Sequence, residues 1–164
     1  MKLDIRALLV VAAMLAATGP ADAQIDPGWF GSWRLNLDKS TYRPGPPPYR
    51  RATYRIEPFA SSVRVVYEMV RPRGGVTHLE WTGQFDGRDY PVQGVEEHVT
   101  YAYQRIDDHS YDVITKVDGR PAATSRAVLA ADGQSITTTT AGRDSRGLDV
   151  TTVTVYEKQS SGGP

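Results

Sequence analysis

The imidazoles that could do acid–base chemistry are few and scattered. His78, His98 and His109 are the three histidines, and cysteine is absent, which removes thiol catalysis and thiolate metal sites. A catalytic assignment needs a nucleophile, a base and a stabiliser brought together, and no Gly-x-Ser-x-Gly elbow, phosphate-binding glycine loop or His-Glu-x-x-His segment occurs. Glu96-Glu97-His98 has metal-ligand residue types, but neighbours on a strand point to opposite faces, so at most Glu96 and His98 cooperate. No metal or cofactor is expected. Glu96-Glu97 and Asp107-Asp108 read as solvated turn charges, Arg50-Arg51 and Arg71-Pro72-Arg73 as solvated basic edges. What remains is tyrosine, nine residues in all, whose hydroxyls can orient a neutral or weakly polar group.

Those tyrosines lie in segments that alternate. Three Asp-Gly pairs, Asp86-Gly87, Asp118-Gly119 and Asp132-Gly133, separate runs rich in Val, Thr and Tyr. Two-residue Asp-Gly connections supply the positive φ angles of hairpin turns, so a meander of antiparallel strands is predicted. Ala52, Tyr54 and Ile56 share one face of their strand; so do Val63, Val65, Tyr67 and Met69, then Leu79, Trp81 and Phe85. Val99, Tyr101 and Tyr103 form an aromatic stripe, followed by Tyr111, Val113, Thr115 and Val117. Strands near residues 122–129, 135–140 and 150–158 complete a set of roughly eight to ten, a number suited to closing a barrel and removing sheet edges. The run Thr137 to Thr140 reads as a strand with hydroxyls on both faces.

The first strand is predicted over Gly31 to Leu37, after a short turn at Pro27 to Phe30. Trp33 is expected to plug one barrel end, and Trp29 to sit at the surface. Asp38 to Pro48 is proline-rich, so it is expected to be an ordered surface crossing rather than a strand. A dry core favours Leu, Ile and Phe, whereas buried tyrosine hydroxyls need partners. Inward tyrosines therefore fit either a cavity with polar tips or side chains that reach the rim and solvent.

The amino end reads as a leader. Lys2 and Arg6 are basic, Ala7 to Ala17 is an apolar run too short to span a bilayer, and Ala21-Asp22-Ala23 has the small-x-small form of a signal-peptidase site. The expected organisation is a signal peptide over 1–23, a single barrel domain over 24–159 and a flexible tail over 160–164, with a periplasmic or secreted location. Lys+Arg and Asp+Glu both number 19, so there is no basic field for nucleic acid or anionic lipid and no stable membrane insertion is expected. Without cysteine, the core alone must stabilise the domain. Arginine outnumbers lysine and Asn36 is the only asparagine, a bias that goes with a bacterial source rich in GC.

Gly31-Ser32-Trp33 resembles the Gly-x-Trp opening of lipocalins, and Phe30 to Leu35 is similar to the start of the fatty-acid-binding proteins. Val155-Tyr156-Glu157-Lys158-Gln159 is similar to the last strand of the second family. Both are calycins, and the resemblance implies an all-β, antiparallel up-and-down barrel around a cavity for a small apolar molecule. Trp33 to Ser40 and Phe85 to Val92 also resemble a group of uncharacterised exported bacterial proteins. Two departures matter. Thr154 stands where the fatty-acid-binding proteins place an arginine for the ligand carboxylate, two residues before Tyr156, and the proline crossing stands where they insert a helical lid. In lipocalins a basic residue near the last strand packs on the motif tryptophan, a position open to Lys158.

Three function classes follow. The first is a lipocalin-like binder of a small apolar or amphipathic ligand, with Tyr54, Tyr67, Trp81, Tyr101, Tyr103, Thr154 and Tyr156 as ligand-binding candidates, Trp33 structural and no catalytic residue. The second is a periplasmic interaction or envelope-maintenance protein with a filled barrel and an apolar patch beside Trp29. The third is a barrel isomerase or hydrolase, marked by an ionisable group of strongly perturbed pKa inside the cavity. Interior volume separates the second from the other two.

Overall fold

Alternation of apolar and polar residues forces each strand to turn one face inward, and the sheet closes because its first and last strands pair. In the computed structural model, which describes residues 25–143 and 147–160, ten antiparallel strands form a closed barrel. They are β1 (Gly31–Arg43), β2 (Arg51–Phe59), β3 (Ser62–Val70), β4 (Val76–Gly83), β5 (Tyr90–Gln93), β6 (Val99–Asp107), β7 (Ser110–Val117), β8 (Arg120–Leu129), β9 (Ser135–Arg143) and β10 (Asp149–Lys158). Each strand pairs with the next in sequence, and β1 closes on β10 with Leu35 opposite Tyr156 and Tyr42 opposite Thr152. The predicted leader and nearly all of the predicted tail lie outside the described residues.

The Asp118-Gly119 connection is the hairpin its sequence predicts: both residues have positive φ, 49° and 76°, between Val117 and Arg120. Asp132-Gly133 lies within a longer link, residues 130–134, with only the glycine at positive φ. Asp86-Gly87 is not a two-residue hairpin. It sits within residues 84–89, where Asp86 forms an isolated bridge to Gln104 and its carboxylate accepts from the Arg88 backbone at 3.0 Å and the Tyr90 hydroxyl at 3.0 Å.

The crossing also differs from expectation. β1 does not stop at Leu37 but runs on to Arg43, with an irregularity between Asn36 and Thr41 after which pairing to β10 resumes. The Ser40 hydroxyl holds the offset, donating to Asn36 O at 2.6 Å and accepting from Val155 N at 3.0 Å. Only residues 44–50, which contain all four prolines of the segment, leave the sheet. A bulge of this kind lets a strand bend without losing its partner.

One barrel end is filled. Asp26 caps a single 3-10 turn, Pro27–Trp29, through Gly28 N at 2.7 Å. Trp29, read from sequence as a surface residue, is only 3% exposed: its ring meets Tyr111 edge-on at 4.8 Å and its Nε1 donates to Asp108 O at 2.9 Å. Trp33 is wholly buried and donates from Nε1 to Trp29 O at 3.0 Å. With Ile25, Phe85, Leu129 and Ile136, these rings form one core cluster. The short turn does what sequence alternation could not reveal, folding Trp29 back over the strand ends.

Candidate functional site

Above this floor the barrel encloses a cavity of about 310 Å³, near the lower end of the volumes typical of small-molecule sites. Exposed Pro48 and half-buried Tyr49, from the segment after β1, line its mouth. Its lining comprises eight tyrosines, five threonines and one serine among apolar residues, with no Asp, Glu, Lys, Arg or His.

The two sides of the cavity differ. On one side stand Tyr54 and Ile56 of β2, Val65, Tyr67 and Met69 of β3, Leu79 of β4, and Tyr101 and Tyr103 of β6. Tyr54 packs on Tyr67 with ring centroids 5.5 Å apart and meets Tyr156 in a T-shaped contact at 4.5 Å. Tyr103 lies 4.5 Å from Trp81, 4.9 Å from Phe85 and 6.3 Å from Tyr101. Offset and edge-on pairs of this kind add to area burial and hold the rings in place. The Tyr67 and Tyr103 hydroxyls share one hydrogen bond of 3.0 Å, whereas those of Tyr54, Tyr101 and Tyr156 bond to no other described residue.

On the other side, inward positions of β7 to β10 carry short hydroxyls. Strand register sets Thr140 between Ser125 and Thr152, and Thr138 between Ala127 and Thr154. Ser125 and Thr140 share a hydrogen bond of 2.8 Å, and Thr154 reaches Thr138 O at 3.4 Å. Thr115, Thr138 and Thr152 keep side-chain hydroxyls unpaired among the described residues. Their partners in sequence, Thr137 and Thr139, take the outer face, so the threonine run does place hydroxyls on both.

Electrostatically the cavity is neutral. Burial pushes the Tyr54 and Tyr67 phenols well above the ordinary range, and it raises Tyr101, Tyr103 and Tyr156 as well. At the floor, burial pushes Tyr111 up to about 12. All stay protonated at neutral pH, as donors and acceptors without charge. Glu96, Glu97 and His98 are exposed in the β5–β6 connection, and among the described residues no three metal-ligating side chains gather.

Of the predicted ligand-binding residues, Tyr54, Tyr67, Tyr101, Tyr103, Thr154 and Tyr156 line this cavity. Trp81 does not: it is wholly buried behind Tyr103, between Phe85 and Tyr90. Sequence reasoning missed Tyr42 and Tyr49, because prolines mask the strand and turn that carry them. It also passed over Thr138, Thr140 and Thr152 as site residues, although their two-residue spacing from Ile136 and from Thr154 and Tyr156 was the available signal.

No family model and no curated protein matches the chain. Among solved structures it is similar to the zebrafish ileal bile acid-binding protein complexed with cholic acid, at a TM-score of 0.50 and 8% identity, covering 80% of this chain and 99% of that one. The siderocalin Ex-FABP, described as working through dual ligand specificities, aligns at a TM-score of 0.38 and 11% identity, over 84% of this chain and 74% of its own. At 8% identity the first likeness is one of fold, and it agrees with the closed ten-stranded antiparallel topology: the barrel is calycin-like.

Proposed function

We propose that this protein is a carrier or sensor that holds one small, uncharged, apolar or amphipathic molecule inside its barrel. The observation that carries the reading is the cavity of about 310 Å³ lined by hydroxyls and apolar groups without a charged side chain. An ionised ligand would lose hydration there with no opposite charge to replace it, which is costly. Thr154, at the place where the resembling family keeps a carboxylate-holding arginine, lines this neutral wall. A proton-transfer enzyme finds no carboxylate or imidazole among these lining residues, and a filled-barrel interaction protein has no need of such a volume. That the zebrafish protein of the same fold is complexed with cholic acid supports retention of a small molecule as the use of the barrel.

The test is titration of N-phenylnaphthylamine, an uncharged fluorescent probe, into the purified protein. Saturable binding with one site, little changed by salt because no Coulomb attraction is there to be screened, is the expected result. Absence of saturable binding overturns the reading. We further propose that the carrier works outside the cytoplasm, on the strength of the basic, apolar and Ala21-Asp22-Ala23 segments. Amino-terminal sequencing should then begin at Gln24, and an intact Met1 on cytoplasmic protein counts against export.

A further inference from the structure

We infer that the ligand is a flat, uncharged ring system with oxygen atoms along one edge, lying with its bare face on the tyrosines and its oxygens on the threonine wall. The inference rests on the carrier reading and narrows it to a chemical class. Its ground is the unequal division of the cavity. Tyr54, Tyr67 and Tyr101 line one side, an aromatic wall that favours a rigid ring over a flexible chain because ring stacking adds to simple burial.

The opposite wall carries hydroxyls in register. Thr152 and Thr140 lie side by side on β10 and β9, and Thr154 and Thr138 form the next row down. Strand spacing sets such neighbours about 4.8 Å apart and successive inward rows two residues apart along the strand, a grid comparable with the width of one or two fused rings. Thr138 and Thr152 have hydroxyls that no other described residue satisfies. A hydrocarbon chain laid on them would leave buried polar groups unpaired, and sites built from hydroxyls reject ligands that cannot answer them. An anion is disfavoured by the same neutral lining. A ring with oxygens along one edge answers the threonine hydroxyls and stacks on the tyrosine rings.

Calorimetric titration with flavone and with its trihydroxylated analogue apigenin, in mildly acidic buffer that keeps the phenols protonated, tests this. Wild-type protein should bind apigenin about tenfold or more tighter than flavone. In the double variant Thr138→Val, Thr154→Val, and independently in Thr152→Val, that preference should fall to within about twofold, since valine keeps the shape and removes the hydroxyl. Thr139→Val, on the outer face of the same strand, should preserve it. Equal binding of the two flavonoids by wild type, or a preference untouched by both valine variants, overturns the inference. Binding of N-phenylnaphthylamine without either flavonoid overturns it and leaves the carrier reading standing; loss of all three sinks both.

Discussion

The Lys158 ammonium stands 5.0 Å from the ring centroid of Trp33 and donates to Gly28 O at 2.8 Å. The last residue of β10 thus secures both the plug residue of β1 and the turn that carries Trp29. Lys158→Ala should cost about 1–2 kcal/mol, combining a charge-assisted hydrogen bond with a cation–π contact at a partly exposed site. Urea unfolding of Lys158→Met separates the ammonium's two contacts, taken together, from packing of the stem: methionine keeps an apolar chain over the ring and loses both the bond and the cation–π contact. If neither variant shifts the midpoint, the contact contributes nothing.

Both tryptophans of the floor should be essential to stability. Trp33→Ala and Trp29→Ala should each cost about 3–5 kcal/mol, as large-to-small core changes do. A loss under about 1 kcal/mol for Trp29→Ala would return that residue to the surface position its sequence context implies.

Alkaline pH should unfold the barrel through its tyrosines. Burial raises the folded phenols of Tyr54, Tyr67, Tyr103 and Tyr156 above their unfolded values, so the folded state keeps protons that the unfolded state releases. Stability is therefore fully present below the ordinary tyrosine range near 10 and falls as pH climbs beyond it. Each phenol that remains protonated steepens the fall by about 1.4 kcal/mol per pH unit. Tyrosinate absorbance should appear together with loss of the β-sheet circular dichroism signal; smooth ionisation of all nine tyrosines in an intact barrel would contradict this.

Two glycines give a graded backbone test. Gly119 has φ 76° with open space around a would-be Cβ, so Gly119→Ala should cost only conformational strain, about 1 kcal/mol. Gly94 has φ 89°, and a Cβ there would collide with the carbonyl oxygen of His78 on β4. Gly94→Ala should cost clearly more, and thermal unfolding of the pair checks the order.

For the cavity, Tyr101→Ala and Tyr103→Ala should weaken N-phenylnaphthylamine binding more than Arg55→Ala, because Arg55 faces outward and pairs with Glu57 at 3.1 Å. Tyr103→Phe keeps the ring against Trp81 and Phe85 while removing the bond to Tyr67, so it should retain stability better than Tyr103→Ala does. Arg55→Ala having the larger effect on binding would move the site away from the barrel interior.

Much of the barrel was legible because each strand states its buried face in period two, and Asp118-Gly119 states a turn in its backbone needs. The closure of β1 on β10 was foreshadowed by motifs at both ends. β1 beyond Leu37 was not, since strand character there depends on partners far along the chain, Thr151 to Val153, and on a bulge held by one serine hydroxyl. The aromatic half of the cavity could be read strand by strand. The hydroxyl half was harder, for in a run of four threonines only the two-residue spacing from Ile136 marks Thr138 and Thr140 as inward, and the register with β10 then sets them beside Thr154 and Thr152. Trp81 shows the converse: an inward position on β4 still need not touch the cavity when a neighbouring ring covers it.

The described chain enters and leaves the barrel at the filled pole, where Gln159 N donates to Ser32 O at 2.8 Å and Lys158 reaches Gly28. Anything tethered at either point, whether a surface, a scaffold or a fused domain, is therefore held behind the plug, with the mouth at Pro48 and Tyr49 directed away from the attachment and open to traffic.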